Sequence, residues 1–375
     1  MKLIVEPADG VAPVVAAIKS ARTSVDIAIF RFDRKDIEAA LHAAAARGVR
    51  VTALIAFANR GGEKSLRQLE LRFLSAGIIV ARTSDDLVRY HAKYILIDRR
   101  VLYILSFNFT HLDIDHSRGF GVVTGGRTCL QAAAKLFKAD CTRTRYSSKL
   151  ETFVVSPANS RRVLGTFLKR ARTQLLIYDP MISDKEMLRI LQERAKAGVE
   201  VKVIGKVSGR TSFETAKLAG IRLHTRTIIR DRRQAFVGSQ SLRTAELDSR
   251  REVGLIIQDP KAVKHLIETF EADWKKPVTR AAPAPEVTDA PGEEATAATT
   301  KEIAKAIEVF TKELQPLAAT VKKAVRQAVT KAGDDVLHDK DVKDTMKQVV
   351  KVAVKEAVKE AVNDAQKTVP TKGDA

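Results

Sequence analysis

Apolar runs alternate with amphipathic runs along the first part of the chain. Continuous apolar segments predict buried strands at residues 25–30 and 49–57, and Ala-rich or amphipathic segments predict helices at 36–47 and 63–76. Gly48 and Gly77 follow the two helices directly, and glycine is favoured there because it accepts a left-handed backbone. This alternation of strand and helix is typical of an α/β layered sheet.

Polar residues interrupt the apolar pattern at two related stretches, residues 91–108 (HAKYILIDRRVLYILSFN) and 224–241 (HTRTIIRDRRQAFVGSQS). The second follows the first by 224 − 91 = 133 positions. Side chains two apart in a strand face the same side, so His91 pairs with Lys93. By the same spacing Ser106 pairs with Asn108, whereas Asp98 is predicted to lie in a turn with a structural role, as is its counterpart Asp231.

The internal similarity extends beyond these stretches. Matching segments are 20–30 with 170–180, 44–55 with 194–205, 74–80 (LSAGIIV) with 217–223 (KLAGIRL), and 136–141 with 269–274. The second copy lacks about ten residues before its histidine, so the loop at 80–90 has no counterpart. We predict two duplicated halves, 1–148 and 149–277, that share one composite site.

Net charge indicates an anionic partner. The formal charge is +20 at pH 7, of which residues 1–150 and 151–277 each carry +10 and the remainder none. Such a field attracts nucleic acid, an anionic membrane surface or a phosphate-bearing substrate. A merely solubilising charge is the alternative.

Other compositional features suggest a cytoplasmic protein. Cys129 and Cys141 are too few for a disulfide framework, so free thiols in a reducing compartment are expected. The opening MKLIVEPADG is too short for a signal-peptide core, and no apolar run is long enough to cross a bilayer. We therefore expect a soluble cytoplasmic protein that at most rests on the inner face of a membrane.

The last hundred residues differ in composition from the rest. Residues 278–300, rich in Pro, Ala, Thr and Glu, predict a disordered linker. An amphipathic helical tail is expected at 301–375, with helices over 301–332 and 340–366 and an apolar stripe formed by Val350, Val354, Val358 and Val362. This stripe indicates a helical hairpin or self-association. A helix on a membrane surface is the weaker alternative.

The two polar stretches resemble the duplicated motif H-x-K-x4-D-x6-G-S-x-N of the phospholipase D superfamily over residues 1–277. The first copy keeps His91, Lys93, Asp98, Ser106 and Asn108, with Leu105 in place of Gly. The second copy keeps His224, Asp231, Gly238 and Ser239, with Arg226 in place of Lys and Ser241 in place of Asn. Arg226 keeps the positive charge in a longer, planar form.

A further family feature is an acidic residue 13 positions after the motif Ser, which orients the catalytic histidine. This spacing gives Glu252 after Ser239 but Gly119 after Ser106. The resemblance therefore suggests Glu252 as the partner of His224. It leaves His91 without an evident partner unless Asp113 or Asp115 substitutes.

The resemblance also implies the fold and the chemistry. The fold would be a duplicated α/β/α sandwich with pseudo-twofold symmetry. Its composite site would act on a phosphodiester through a phosphohistidine, with His91 slightly favoured as nucleophile and the other histidine as acid and base. Lys93, Arg226, Ser106, Asn108, Ser239 and Ser241 would bind the phosphoryl oxygens, and no metal or other cofactor is expected.

The substrate is left open by the sequence. A phospholipid is favoured from the cardiolipin-synthase-like character of the duplicated halves. A metal-independent nuclease acting on DNA or RNA is the first alternative, since the charge suits a phosphate backbone and the SFNF segment resembles that of bacterial nucleases of the superfamily. An anion-binding module that has lost catalysis is the second, because of Leu105, Gly119, Arg226 and Ser241.

Overall fold

A computed structural model describes residues 1–57, 63–84, 87–148, 150–275 and 280–281. All of them lie in the first of two units, Met1–Glu286. The predicted tail, residues 301–375, lies outside the described residues, as does most of the predicted linker. Within that linker, Arg280–Ala281 form a short strand, and the disorder of the remaining linker residues stays a prediction.

The first half follows the predicted order of elements. They are β1 (Lys2–Glu6), α1 (Ala12–Ser20), β2 (Ser24–Ile29), α2 (Lys35–Ala46), β3 (Arg50–Ile55), α3 (Glu63–Ser75), β4 (Ile79–Arg82), β5 (Arg89–Tyr90), β6 (Tyr94–Ile97), β7 (Val101–Leu105), α4 (His111–Asp115), β8 (Ser117–Thr124) and α5 (Arg127–Cys141). The two predicted strands and two predicted helices are all present. Gly48 and Gly77 adopt φ values of +84° and +75°, as their places after α2 and α3 require.

The second half repeats this order without an equivalent of α3 among the described residues. Its elements are β9 (Phe153–Val155), α6 (Ser160–Lys169), β10 (Gln174–Ile182), α7 (Lys185–Lys196), β11 (Glu200–Val207), β12 (Glu214–Ala216), β13 (Arg222–Leu223), β14 (Arg226–Arg230), β15 (Gln234–Gly238), α8 (Thr244–Asp248), β16 (Arg250–Arg251), β17 (Val253–Ile257), α9 (Pro260–Lys275) and β18 (Arg280–Ala281).

Each half builds one mixed sheet. The strand order is β1-β8-β7-β6-β2-β3-β4 in the first, and β18-β12-β11-β10-β14-β15-β17-β9 in the second. One apolar core between the sheets combines residues of both halves with α5 and α9, and two outer cores pack against α1–α3 and α6–α7. The predicted duplicated α/β sandwich is confirmed.

One predicted match between the halves was wrong. LSAGIIV leads into β4, which pairs with β3. In the second half the equivalent strand is β12, which pairs with β11. Because β12 precedes KLAGIRL in the chain, KLAGIRL does not correspond to LSAGIIV. The last residues of KLAGIRL instead form β13, the counterpart of β5 at the 133-residue offset. The short sequence similarity misled because a Leu/Ala-Gly-Ile pattern fits the end of a helix and a loop equally well.

The two halves exchange short strands beside the motif histidines. β5 of the first half pairs with β16 of the second, and β13 of the second pairs with β8 of the first. The amide of His91 thereby donates to the carbonyl of Arg251 at 2.8 Å, and that of His224 to the carbonyl of Arg118 at 3.3 Å. Each histidine is therefore attached to the opposite half of the molecule.

Two buried ion pairs reinforce the same contact between halves. Arg118 forms a bidentate pair with Asp273 at 2.7 and 2.9 Å, and Arg251 reaches Asp140 at 3.0 Å. The two arginines are 133 residues apart, and so are the two aspartates. Because breaking a buried pair leaves an uncompensated charge, these contacts hold the relative position of the halves and hence the site.

The motif aspartates lie in turns, as predicted. Asp98 accepts hydrogen bonds from the backbone amides of Arg22, Thr23 and Ser24 at 2.7–3.1 Å. Asp231 repeats these contacts in the second half, with the amides at 172–174. Burial acts to raise the pKa of Asp98, but the amide donors outweigh it and lower the pKa to about 2. Both aspartates thus join the turn after β6 or β14 to the start of the neighbouring strand, β2 or β10.

An Asp98→Asn variant should lower the free energy of unfolding by about 1.5–3 kcal/mol at pH 7, because charge-assisted hydrogen bonds are lost. The pKa of Asp98 is depressed in the folded state, so its stabilisation is present above the ordinary pKa of 3.8 and disappears as the pH falls towards about 2. Urea unfolding at pH 7 and pH 2.5 should show the difference between native and variant shrinking at the lower pH. An undiminished difference at pH 2.5 would contradict this role.

Candidate active site

The motif residues gather where strands end beside the contact between halves. His91 and Lys93 lie just before β6, and Ser106 and Asn108 just after β7. The prediction that the first pair sits within a strand was therefore wrong by one or two residues. The side chains of His91 and Lys93 nevertheless point to the same side, because Lys93 Nζ lies 2.8 Å from His91 Nε2.

His91 is held at both ring nitrogens. Its Nδ1 lies 2.8 Å from Glu252 Oε2, and both side chains are buried. Glu252 was expected beside His224, so that pairing was wrong. The reason is the strand exchange: β5 runs along β16 and places the first half's histidine next to the second half's carboxylate.

His224 meets a different carboxylate. Its Nε2 lies 3.5 Å from Asp113 Oδ2, whereas its Nδ1 is buried without a hydrogen-bond partner among the described residues. Asp113 and Asp115 were the residues considered as partners of His91, and neither takes that place. Asp115 accepts from Arg34 at 2.7 Å and lies 3.0 Å from the ring of His111, on the surface side of α4.

Backbone and side-chain hydrogen bonds fix the first motif's polar residues. Asn108 donates from Nδ2 to Asp113 Oδ2 at 2.6 Å, and its backbone amide donates to the same oxygen at 2.8 Å. The Ser106 hydroxyl accepts from the amide of Phe120 at 2.9 Å. The loop after β7 is therefore tied to α4 and β8 before any substrate arrives.

The second motif has an equivalent support. Arg226 donates from Nε to Ser241 Oγ at 3.2 Å, and the amide of Ser241 donates to Glu246 Oε2 at 2.7 Å. The Ser239 hydroxyl accepts from the amide of Val253 at 3.2 Å. Glu246 lies 133 residues after Asp113, so the repeat contained a signal for both supporting carboxylates that our sequence analysis missed.

Asp179 is another buried carboxyl of this half that sequence reasoning missed. It lies in β10 and accepts hydrogen bonds from the amides of Leu242 and Met181 at 2.8 and 2.9 Å. Burial raises the pKa of Asp179 to about 7. Its role in the geometry is to fix the loop that carries Ser241.

Burial dominates the ionisation of the central groups. It lowers the pKa of Lys93 to about 7 and raises the pKa of Glu252. Burial, followed by the charges of neighbouring cations, lowers the pKa values of His91 and His224 well below the ordinary range. The neutral imidazole of His91, with its proton on Nδ1 towards Glu252, presents the Nε2 lone pair to the cleft.

Several departures from the motif have a packing explanation. Leu105 fits because a methyl group of its side chain fills the space over Gly121. Gly238 has no such space, since an added Cβ would lie 2.6 Å from the ring of Phe236. Gly119 lies under the ring of Phe107, which an added Cβ would meet at 2.9 Å. The family has an acidic residue at the position of Gly119, and here the ring of Phe107 fills the space that such a side chain would need.

An aromatic ring closes one side of the first histidine. Phe30 packs edge-on against the ring of His91 with centroids 4.7 Å apart, and Lys93 Nζ lies 5.4 Å from the centroid of Phe30. Such a contact excludes water from one face of the imidazole and favours the cation of Lys93. The arrangement as a whole is a buried cluster of charged and polar side chains from both halves, with one neutral, oriented imidazole.

A duplicated α/β sandwich with two buried histidines at the contact between its halves defines the class of protein. The sequence profile described as "Cardiolipin synthase, PLD-like domain" matches residues 14–141 and 164–274. The chain therefore belongs to this family of phospholipase D-like proteins, and the predicted resemblance is confirmed. No curated protein is similar enough in sequence to count as a relative.

Solved structures share the fold at low sequence identity. Polyphosphate kinase from Porphyromonas gingivalis is similar with a TM-score of 0.65 and 19% identity, over 82% of this chain and 53% of that one. Phosphatidylserine synthase from Haemophilus influenzae Rd KW20 gives a TM-score of 0.60 and 10% identity, over 84% and 94%. Nuc from Salmonella typhimurium, a phospholipase D family member, gives 0.35 and 26%, over 39% and 97%. This chain spans about half the length of the polyphosphate kinase.

Among the described residues, no group of three or more His, Cys, Asp or Glu side chains is arranged to hold a metal ion. In the same part of the chain, no helix is both long and apolar enough to cross a membrane.

Proposed function

We propose that the protein cleaves or transfers phosphodiesters through a covalent phosphohistidine on His91. The observation that carries this proposal is the position of His91 between Glu252 and Lys93, at 2.8 Å from each. Glu252 holds the proton on Nδ1 and leaves Nε2 as the nucleophile, in the way that a carboxylate orients the histidine of a catalytic triad. Lys93 must move from Nε2 to a phosphoryl oxygen when the substrate enters.

The first step forms a bond from His91 Nε2 to phosphorus and breaks the bond to the leaving oxygen, which takes the Nε2 proton of His224 in its imidazolium form. Lys93, Arg226 and the amide and hydroxyl donors of Asn108 and Ser241 stabilise the charge on the phosphoryl oxygens. In the second step His224 removes a proton from water or an alcohol, whose oxygen attacks phosphorus and releases His91. Water gives hydrolysis, and an alcohol gives transfer.

A phospholipid is the proposed substrate. The support is the family's cardiolipin-synthase description together with apolar side chains exposed next to site residues. Val88 is 74% exposed and directly precedes Arg89, which lowers the pKa of His91 by its charge, and Leu112 is 51% exposed beside Asp113. Exposed apolar groups among cations suit contact with an anionic lipid surface. Peripheral contact with a membrane, like self-association through the tail, stays a prediction.

The proposal is tested by turnover on vesicles of anionic phospholipid and on single- and double-stranded DNA, with a chelator and without added metal. Native protein is compared with His91→Asn and His224→Asn, and with His265→Asn, an exposed histidine on α9, as the control. Lipid cleavage or transfer that is lost in both site variants and kept in the control is the expected result. Absence of any turnover would favour the anion-binding module instead.

A nuclease is the second candidate because residues 1–277 carry the whole formal charge of +20. Binding to a phosphate backbone weakens steeply with salt, by about three to five orders of magnitude between 50 and 200 mM when 6–10 phosphates are contacted. DNA cleavage lost in both histidine variants, with this salt dependence, would assign the protein to the nucleases of the superfamily.

The pH dependence of kcat/KM should reflect Lys93. Because the pKa of Lys93 is lowered to about 7, the free enzyme loses this cation as the pH rises through that value, and phosphate binding weakens. We expect kcat/KM to decline above about pH 7. Lys93→Arg should be slower but should lack this decline, because arginine stays charged. Lys19→Arg, an exposed change on α1, should keep the native profile, and a decline retained in Lys93→Arg would contradict the assignment.

A further inference from the structure

We propose that Asp113 is the positioning residue for His224, in place of the carboxylate that is missing at position 119. The inference rests on the proposed function and concerns the proton delivered to the leaving group. It makes the site chemically unsymmetric, with one histidine held by Glu252 at Nδ1 and the other held by Asp113 at Nε2.

Position 119 cannot serve His224 as Glu252 serves His91. Gly119 stands 133 residues before Glu252 and has no side chain, and the ring of Phe107 occupies the space above it. The Nδ1 atom of His224 is accordingly buried without a hydrogen-bond partner among the described residues. No group in the described part of the chain holds the ring at Nδ1, so a group near Nε2 has to orient it.

Asp113 is the carboxylate in reach. Its Oδ2 lies 3.5 Å from His224 Nε2, and its side chain is held by two donors from Asn108 and by Arg222, which contacts Oδ1. The Asp113 amide in turn donates to the hydroxyl of Thr110 at 3.3 Å. Asp113 is therefore rigid, buried and charge-compensated, which are the properties of a group that orients another.

The carboxylate of Asp113, 3.5 Å away, orients Nε2, the atom that delivers the proton to the leaving oxygen. Asp113 also stabilises the imidazolium by its negative charge, although burial opposes that form. During the first step the imidazolium gives its Nε2 proton to the leaving oxygen and becomes a neutral ring with its remaining proton on Nδ1. During the second step Nε2 takes a proton from water, and the imidazolium forms again. After the first step the lone pair of Nε2 faces Asp113, which favours the return of the proton.

Glu246 provides a matched control within the same molecule. It occupies the place of Asp113 in the second half, and its Oε2 accepts from the amide of Ser241. The cations paired with it are Arg226, Arg243 and Arg250, and among the described residues no histidine forms a hydrogen bond or ion pair with it. Loss of its charge should disturb phosphate binding but not the delivery of a proton.

The test compares two small diesters in the presence of a chelator. Bis(p-nitrophenyl) phosphate releases a phenolate that needs little protonation, whereas diphenyl phosphate releases a phenol whose pKa, like that of tyrosine, is about 10. Asp113→Asn should reduce kcat on diphenyl phosphate by about a hundredfold more than on the nitrophenyl ester. Glu246→Gln should reduce both rates by the same factor.

Equal losses on both esters in Asp113→Asn would overturn the inference, because Asp113 would then act through Asn108 alone. A second measurement on the native protein does not depend on a variant that folds: the ¹⁵N shifts of His224 should show both ring nitrogens protonated at the pH of maximal turnover. A ring with its proton on Nδ1 alone at that pH would overturn the inference. Failure of the native protein to cleave either ester would instead overturn the proposed function, and this inference with it.

Discussion

Turnover should fall by about three to four orders of magnitude when Glu252 is replaced by Gln. The amide is nearly isosteric and would still fill the buried space beside His91 Nδ1, so the fold should be retained. An amide NH₂ facing Nδ1 favours the tautomer with its proton on Nε2, which removes the nucleophilic lone pair. The loss should appear in kcat on bis(p-nitrophenyl) phosphate. With this ester the attack by His91 can be followed without the proton from His224, because nitrophenolate needs little protonation.

Glu186→Gln supplies the control for the Glu252 variant. Glu186 is a half-exposed glutamate on α7 that pairs with Arg161, on the outer side of the second half. Its replacement removes the same charge and should leave turnover within about twofold, as surface changes generally do. A Glu252→Gln enzyme that retains more than a tenth of native kcat would show that His91 does not depend on this carboxylate.

The largest loss is expected for His91→Asn. Without an imidazole at this position no phosphorus–nitrogen bond forms, and turnover on either phenyl ester should fall by about four orders of magnitude or more. His224→Asn should differ in kind, because a nitrophenolate can depart without a proton. Stopped-flow release of nitrophenolate should therefore show no burst for His91→Asn and a burst followed by a slow phase for His224→Asn.

The two histidine variants control for each other, since both histidines are buried at the same contact between halves. Circular dichroism and the free energy of unfolding establish that each variant is folded before its burst is interpreted. A burst in His91→Asn and none in His224→Asn would exchange the roles of the two residues. Equal slow release in both would indicate that neither is a nucleophile.

Much of the fold and of the site was readable from local patterns. The apolar run at 25–30 and the glycines after the two helices predict elements that the structure places within one or two residues. The turn role of Asp98 follows from its parity relative to His91. These predictions succeed because they depend on a few consecutive residues and on backbone geometry that is the same in any protein.

The partners of the two histidines could not be predicted in the same way. The spacing from Ser239 to Glu252 suggests a contact within one half, whereas the structure makes the contact between halves. Which half a carboxylate serves depends on two-residue strands, β5 and β13, that carry too little sequence to be recognised. The supporting roles of Asp113 and Glu246 needed the same three-dimensional information, although their 133-residue offset was visible in the sequence.

The departures from the motif also required the structure. Leu105 looks like a defect in sequence, yet it packs over Gly121 and leaves Ser106 bonded to the amide of Phe120. Arg226 similarly retains a contact with Ser241, the residue that replaces Asn. These contacts favour a site in which the hydrogen-bond donors are kept despite the changed residues. They argue against a site that has lost its donors.

Identification of the residue that carries the phosphoryl group is the most direct test of the account. His224→Asn protein is mixed with bis(p-nitrophenyl) phosphate, quenched in alkali, where phosphohistidine survives, and digested for mass spectrometry. The account predicts one nitrophenyl-phosphate adduct per chain, located on His91 and absent from the His91→Asn, His224→Asn double variant. An adduct at any other residue, or nitrophenolate release without an adduct, would contradict it.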